Sequence, residues 1–298
     1  MAAAMAQPIP YREHRYRSAC GRLDLFARDY PGETTDARPP LLLMHGLTRN
    51  SADFEPLAAH LAGRFRLVVP DQRGRGLSDW DSDPGNYRPD IYAADMFALL
   101  ASLAIERTVA IGTSMGGLIA MAMAAMQPAR TAGIILNDIG PAVESAGLER
   151  IQAYVGPSEP ARSWQEAAGR CAAINGAALP GLTEDDWIAF ARRTCVEADD
   201  GTIAFNYDPA IAGGFSDKGA PVVPPDLWPL WGLLADKPVL AIRGALSDLL
   251  SPETVAEMGR RHNQGFAAAE VAGRGHAPLL DEPEALDAIE AFLADGFG

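Results

Sequence analysis

The chain has 298 residues, 48% of them apolar and 21% charged, with 25 Lys+Arg against 39 Asp+Glu and a net charge of −14. That composition is globular and far from disordered. An acidic surface argues against a nucleic-acid partner, which needs a basic face to displace counterions. Cys20, Cys171 and Cys195 are unequally spaced and form no CxxC or Cys/His cluster, so they read as reduced structural thiols, with no metal or cofactor expected.

The opening MAAAMAQPIPYREHRYR carries no basic segment followed by an apolar run, and no stretch reaches membrane-spanning length. The expectation is a soluble cytoplasmic protein with no membrane partner. His14–Ser18 and Arg22–Arg28, split by Gly21, predict a β-hairpin. Short apolar runs of the buried parallel type follow at Leu41–Met44, Leu67–Val69, Thr108–Ile111, Gly133–Leu136, Val239–Ile242 and, more weakly, Phe266–Val271. Helical patterns fall at Ser51–Leu61, Tyr92–Leu103, Gly116–Met126, Pro252–Arg261 and Glu284–Ala294. This alternation predicts an α/β fold with a mostly parallel sheet flanked by helices.

The alternation breaks between about Ala142 and Asp236. There the sequence holds helical patterns, Trp164, Trp187, Trp228 and Trp231, and the passage GGFSDKGAPVVPPDLWP. We expect a core of residues 1–141 and 237–298, with residues 142–236 as a helical cap inserted between the sixth and seventh strands.

Gly112-Thr113-Ser114-Met115-Gly116 fits G-x-S-x-G, with a strand (TVAI) leading in and an Ala/Met-rich helix leading out. A serine at such a turn is held out at the C-terminal edge of the sheet, beside the positive end of the next helix. A serine nucleophile needs an imidazole base, and the base needs an acid to fix its tautomer. Of the five histidines, His276 lies in a Gly-rich turn after the last strand and is the expected base. His14, His60 and His262 fall within a strand or helices, and His45 reads as a turn-forming residue. Two acids compete: Asp248, 28 residues before His276, and Asp138, after the sixth strand. The His-Gly turn after Leu41–Met44 offers the backbone N–H of Leu47, which with that of Met115 is the expected oxyanion hole.

With LLLMHGL, DQRGRGLS, GTSMGG, RGALSD and GRGHAP in this order, the sequence resembles the α/β-hydrolase superfamily, in its capped serine-hydrolase branch. The resemblance implies an eight-stranded sheet, Ser114 as nucleophile, His276 as base and Asp248 as the favoured acid. Asp138 would then belong to the pocket wall or the cap hinge. The DQRGRG loop reads as a structural turn with Arg/Asp pairing.

The leading expectation is a cofactor-free hydrolase, esterase- or lactonase-like, acting on an apolar or aromatic ester through an acyl-enzyme. Trp164, Trp187 and Phe205 are the expected pocket residues. A second reading is a C–C hydrolase of ring-cleavage diketo acids, with Arg192 or Arg193 receiving a carboxylate. Members of that group resemble this layout but carry Asn and Trp where this chain has Thr113 and Ala277. A third reading, from another class, is a non-enzymatic ligand receptor on the same fold. Perhydrolase activity would be a side reaction of the same site.

Overall fold

The computed structural model describes residues 9–35, 38–215 and 226–297. Residues 1–8 of the opening segment and 216–225 of the Pro/Gly-rich passage lie outside the described residues. The predicted hairpin forms as β1 (Arg12–Arg17) and β2 (Asp24–Tyr30), with Gly21 at φ +70° in its turn. Next come β3 (Leu41–Met44), α1 (Glu55–Leu61), β4 (Leu67–Asp71), α2 (Pro89–Ser102), β5 (Thr108–Thr113), α3 (Met115–Met126) and β6 (Thr131–Asn137).

The chain then leaves the sheet for α4 (Ser145–Tyr154), α5 (Trp164–Asn175), α6 (Glu184–Thr194), a ribbon of β7 (Cys195–Glu197) and β8 (Ile203–Phe205), and α7 (Trp228–Gly232). It returns through β9 (Val239–Gly244), α8 (Pro252–Arg260), β10 (Phe266–Val271) and α9 (Pro283–Phe297).

The main sheet has eight strands in the order β1-β2-β4-β3-β5-β6-β9-β10. β2 runs antiparallel to β1 and β4, and the remaining pairs are parallel. The short runs β3 to β6 and β9 are buried, save for Thr113 at the end of β5, because helices cover both faces. On one face Leu42, Ala110 and Leu136 pack with α2, α3 and α8. On the other, Leu41, Ile111 and Ile135 pack with α1 and α9. α3 is apolar nearly all round because it is buried between the sheet and α2.

Two expectations need adjustment. The segment after β6 is not wholly helical, since β7 and β8 form a two-stranded antiparallel ribbon, too short for its alternation to register in the sequence. α2 begins at Pro89 instead of Tyr92, because proline fits the first turn of a helix, where its missing N–H is not needed. The inserted segment has a small core of its own, in which Ala167, Cys171, Phe190, Ala191 and Ile203 pack together.

The register positions the site. Met44 pairs with Gly112, Thr113 with Asn137, Asn137 with Ile242, and Gly244 with Val271. The C-terminal ends of β3, β5, β6, β9 and β10 are therefore level, and the turns that follow them converge on one edge.

Candidate active site

At the end of β5 the chain must turn directly into α3, and Ser114 takes the turn at φ +52°, ψ −114°. Such a backbone costs on the order of 1–3 kcal/mol and persists only where the surroundings enforce it. Glycines are what make room for it. A β-carbon on Gly112 would stand 2.2 Å from the Gly116 carbonyl, and one on Gly116 would stand 1.9 Å from the Met44 carbonyl oxygen. Ser114 N–H donates to Asn137 O across the sheet at 2.9 Å.

Ser114 Oγ lies 2.9 Å from His276 Nε2, and His276 Nδ1 lies 2.8 Å from Asp138 Oδ2. Asp138 is wholly buried at φ +56°, a conformation that Asp tolerates better than most residues. Its carboxylate also accepts Gly244 N–H at 2.8 Å and Ser247 O–H at 2.6 Å. An acceptor on Nδ1 requires the proton to sit there. Nε2 is thereby left as the acceptor for the serine hydroxyl.

The expectation that Asp248 holds the imidazole is corrected by this geometry. Asp248 is instead paired with Arg150 of α4, Nε at 2.6 Å and Nη2 at 2.8 Å, and the guanidinium holds its carboxyl below the usual range. Because β6 and β9 are neighbours, their turns rise side by side. The RGALSD turn supplies two hydrogen-bond donors to Asp138 in place of the acid. Asp138 was expected in the pocket wall or at the hinge, and it meets His276.

The turn after β3 lies against Ser114: a β-carbon on Gly46 would stand 3.9 Å from Ser114 Cβ. Leu47 and Met115, whose N–H groups were expected to form the oxyanion hole, both line the cavity at Ser114. His45 governs the first of these peptides. Gln72 N–H donates to its Nε2 at 3.0 Å, so Nδ1 carries the proton and donates to Gly46 O at 2.7 Å. That carbonyl shares a peptide unit with Leu47 N–H. Burial pushes the His45 pKa down to about 4, which keeps this arrangement neutral.

Arg75, fully buried, donates to Leu47 O at 2.9 Å, Arg73 O at 2.8 Å and Tyr92 Oη at 2.6 Å. Sequence reasoning missed it, because the loop signals a turn and not the direction of one side chain. The expected Arg/Asp pairing falls to Arg73, which is buried between Asp81 at 2.6 Å and Asp95 at 2.8 Å.

Ser114 and His276 open onto a cavity of about 440 Å³ between the sheet edge and the inserted segment, within the usual range for small-molecule sites. Its wall is mostly apolar, with Leu118, Ile139, Ile151, Leu179, Phe190 and Phe205 among its residues. Of the expected pocket residues, Phe205 is in this wall. Trp164 and Trp187 are not: Trp164 lies under Arg192 and donates to Glu197 at 3.1 Å, and Trp187 packs edge-on to Phe190. Both serve the insertion's own core. Arg192 and Arg193 do not line the cavity either.

The model of the alpha/beta hydrolase family matches residues 41–289. This chain belongs to that family. The hydrolase is similar to the 3-hydroxybutyrate-oligomer hydrolase of Cupriavidus necator, 36% identical over 248 residues, covering 82% of this chain and 84% of that one. It is 29% identical over 240 residues to the 2-(acetamidomethylene)succinate hydrolase of Mesorhizobium japonicum, covering 80% and 81%. The crystal structure of an alpha/beta hydrolase from Novosphingobium aromaticivorans superposes with a TM-score of 0.88 at 44% identity, covering 98% of this chain and 99% of that one. No helix of the hydrolase, among the described residues, is long and apolar enough to cross a membrane.

Proposed function

We propose that the protein is a serine hydrolase that cleaves short carboxylic esters, oligomeric hydroxy-acid esters foremost, through an acyl-enzyme on Ser114. The observation that carries this reading is the unbroken hydrogen-bond chain Ser114–His276–Asp138 on the floor of an apolar cavity.

Ser114 Oγ attacks the ester carbonyl while His276 Nε2 takes its proton. Asp138 stabilises the imidazolium, and the N–H groups of Leu47 and Met115 receive the oxyanion. The imidazolium returns the proton to the departing alkoxide, and water repeats the sequence on the acyl-enzyme. Residues 142–236 act as a cap that excludes bulk water and shapes the acyl site. The substrate class is supported by the curated relative named for 3-hydroxybutyrate oligomers, which aligns over most of both chains. The two arginines expected to receive a carboxylate in the C–C reading, Arg192 and Arg193, lie outside the cavity wall.

The test is acid release in a pH-stat from a hydroxybutyrate dimer, a simple butyrate ester, a lactone and a ring-cleavage diketo acid, with wild type and Ser114→Ala side by side. Turnover of the esters by wild type, lowered by several orders of magnitude in the alanine variant, is expected. Turnover of the diketo acid alone, or equal ester turnover by both proteins, would overturn the reading.

A further inference from the structure

The mechanism above leaves one charged pair in the cavity wall unused. Arg49 and Asp53, on the turn and first helical residues after β3, both line the cavity that holds Ser114. The guanidinium approaches Asp53 side-on. Nε donates to Oδ2 at 2.8 Å and to Oδ1 at 2.9 Å, and Nη2 closes a second contact with Oδ1. Its plane is fixed from one side by Phe190, whose ring centroid lies 3.9 Å from Cζ. Stacking and the ion pair together hold the side chain in one orientation, with 14% of its surface accessible.

Among the described residues, none accepts a hydrogen bond from Nη1. A guanidinium carries five donors, so the Nη1 hydrogens of this cavity-lining residue are unmatched within the described protein. Arg49 is also near the chemistry. The point where a Gly46 β-carbon would stand is 3.7 Å from Arg49 Cγ and 3.9 Å from Ser114 Cβ. Arg49 Cγ and Ser114 Cβ therefore flank one point of the cavity wall.

A donor fixed in this way in an apolar wall fits a substrate with an apolar body and one further oxygen acceptor. A hydroxy-acid dimer has one carboxyl group besides its scissile ester, and that group leaves with the alcohol. We infer that Arg49 is a specificity-determining residue whose Nη1 receives the carboxyl oxygen of the departing hydroxy acid, with Asp53 and Phe190 as its mount. This inference rests on the serine-hydrolase reading and deepens it. The acceptor can be the free carboxylate of a terminal unit or the ester carbonyl of a following one. Asp53 already balances the charge of Arg49, so the contact does not demand an anion.

The test compares kcat/KM of wild type for three 3-hydroxybutyryl esters: the dimer free acid, the dimer methyl ester, and the 4-methylpentan-2-yl ester, in which an isopropyl group replaces the carboxyl. A hydrogen bond from a charged donor predicts that the carboxyl-bearing esters exceed the alkyl ester on the order of 10- to 100-fold. Similar values for acid and methyl ester would assign the contact to the carbonyl, and a large excess for the acid would assign it to the carboxylate. In Arg49→Met combined with Asp53→Asn, which strands no buried charge, the discrimination should collapse. Arg49→Lys should retain part of it.

Equal rates on all three esters in wild type would overturn the inference while leaving the hydrolase reading intact. So would discrimination that survives in a folded double variant. Absence of turnover on every ester would remove the hydrolase reading itself, and this inference with it. Should the double variant fail to fold, the wild-type series and Arg49→Lys decide the matter.

Discussion

Asp138 accepts three hydrogen bonds in a place with no access to water, and one of the donors is the imidazole that faces Ser114. Replacing it with Asn removes the charge and disturbs the tautomer, so Asp138→Asn should lower kcat by on the order of 10⁴. Asp248→Asn weakens only a half-exposed ion pair with Arg150, and its kcat should stay within about tenfold of wild type. Steady-state kinetics of the two variants check this, and the reverse ranking would return the acid to Asp248. The sequence could not separate them, because both acids follow neighbouring strands at the same edge. What decides is that the Gly244 N–H and the Ser247 hydroxyl point at Asp138, a matter of how the turn is oriented and not of spacing.

His45 yields a pH prediction of its own. The folded side chain stays neutral down to about pH 4, while the unfolded one takes up a proton near its ordinary 6.5. The unfolded state binds more protons in that window. Its contribution is therefore complete above pH 6.5 and is lost as pH falls toward 4, on the order of 3 kcal/mol over the full window. Urea midpoints should drop from pH 7 to pH 5 by more in wild type than in His45→Gln. Equal drops would contradict a neutral buried His45.

At the scale of elements, much was legible because each signal was local. Six short apolar runs and a hairpin signal, each bounded by turns, gave the eight main strands, and Gly112 and Gly116 around Ser114 gave the elbow. The elbow's glycines are required for space, since a methyl on Gly116 meets the backbone of β3 and not a side chain that can move. Gly116→Ala should therefore destabilise the fold by about 2 kcal/mol or more, read as a lowered Tm, and should cost activity as β3 and α3 are pushed apart. An unchanged Tm would mean that the elbow is looser than described. The pocket was less legible. A tryptophan in an inserted segment can face the cavity or the segment's own core, and Trp164 and Trp187 face the latter.

The inserted segment and the sheet are tied together at several points of the whole molecule. Gly275 N–H, beside His276, donates to Ala178 O at 2.6 Å, and Asn50 Nδ2 donates to Arg193 O at 2.8 Å. Tyr87 Oη donates to Asp208 at 2.5 Å, and Arg150 meets Asp248. With the His276 loop braced by the insertion, the two parts should unfold together. Trp164 and Trp187 sit in the inserted segment's core while Trp231 packs against Met258 and Phe266, so melting followed by tryptophan fluorescence should be a single transition that coincides with melting followed by far-UV circular dichroism. An earlier fluorescence transition would mean that the segment unfolds on its own.

The central claim concerns the whole assembly of elbow, base, acid and cavity, which together must make Ser114 a nucleophile. Its most direct test is intact-mass and peptide mapping of the protein after treatment with an alkyl fluorophosphonate. One adduct per chain, on Ser114, absent in Ser114→Ala and slowed strongly in Asp138→Asn, is the result the structure predicts. No adduct, or an adduct on another residue, would contradict it.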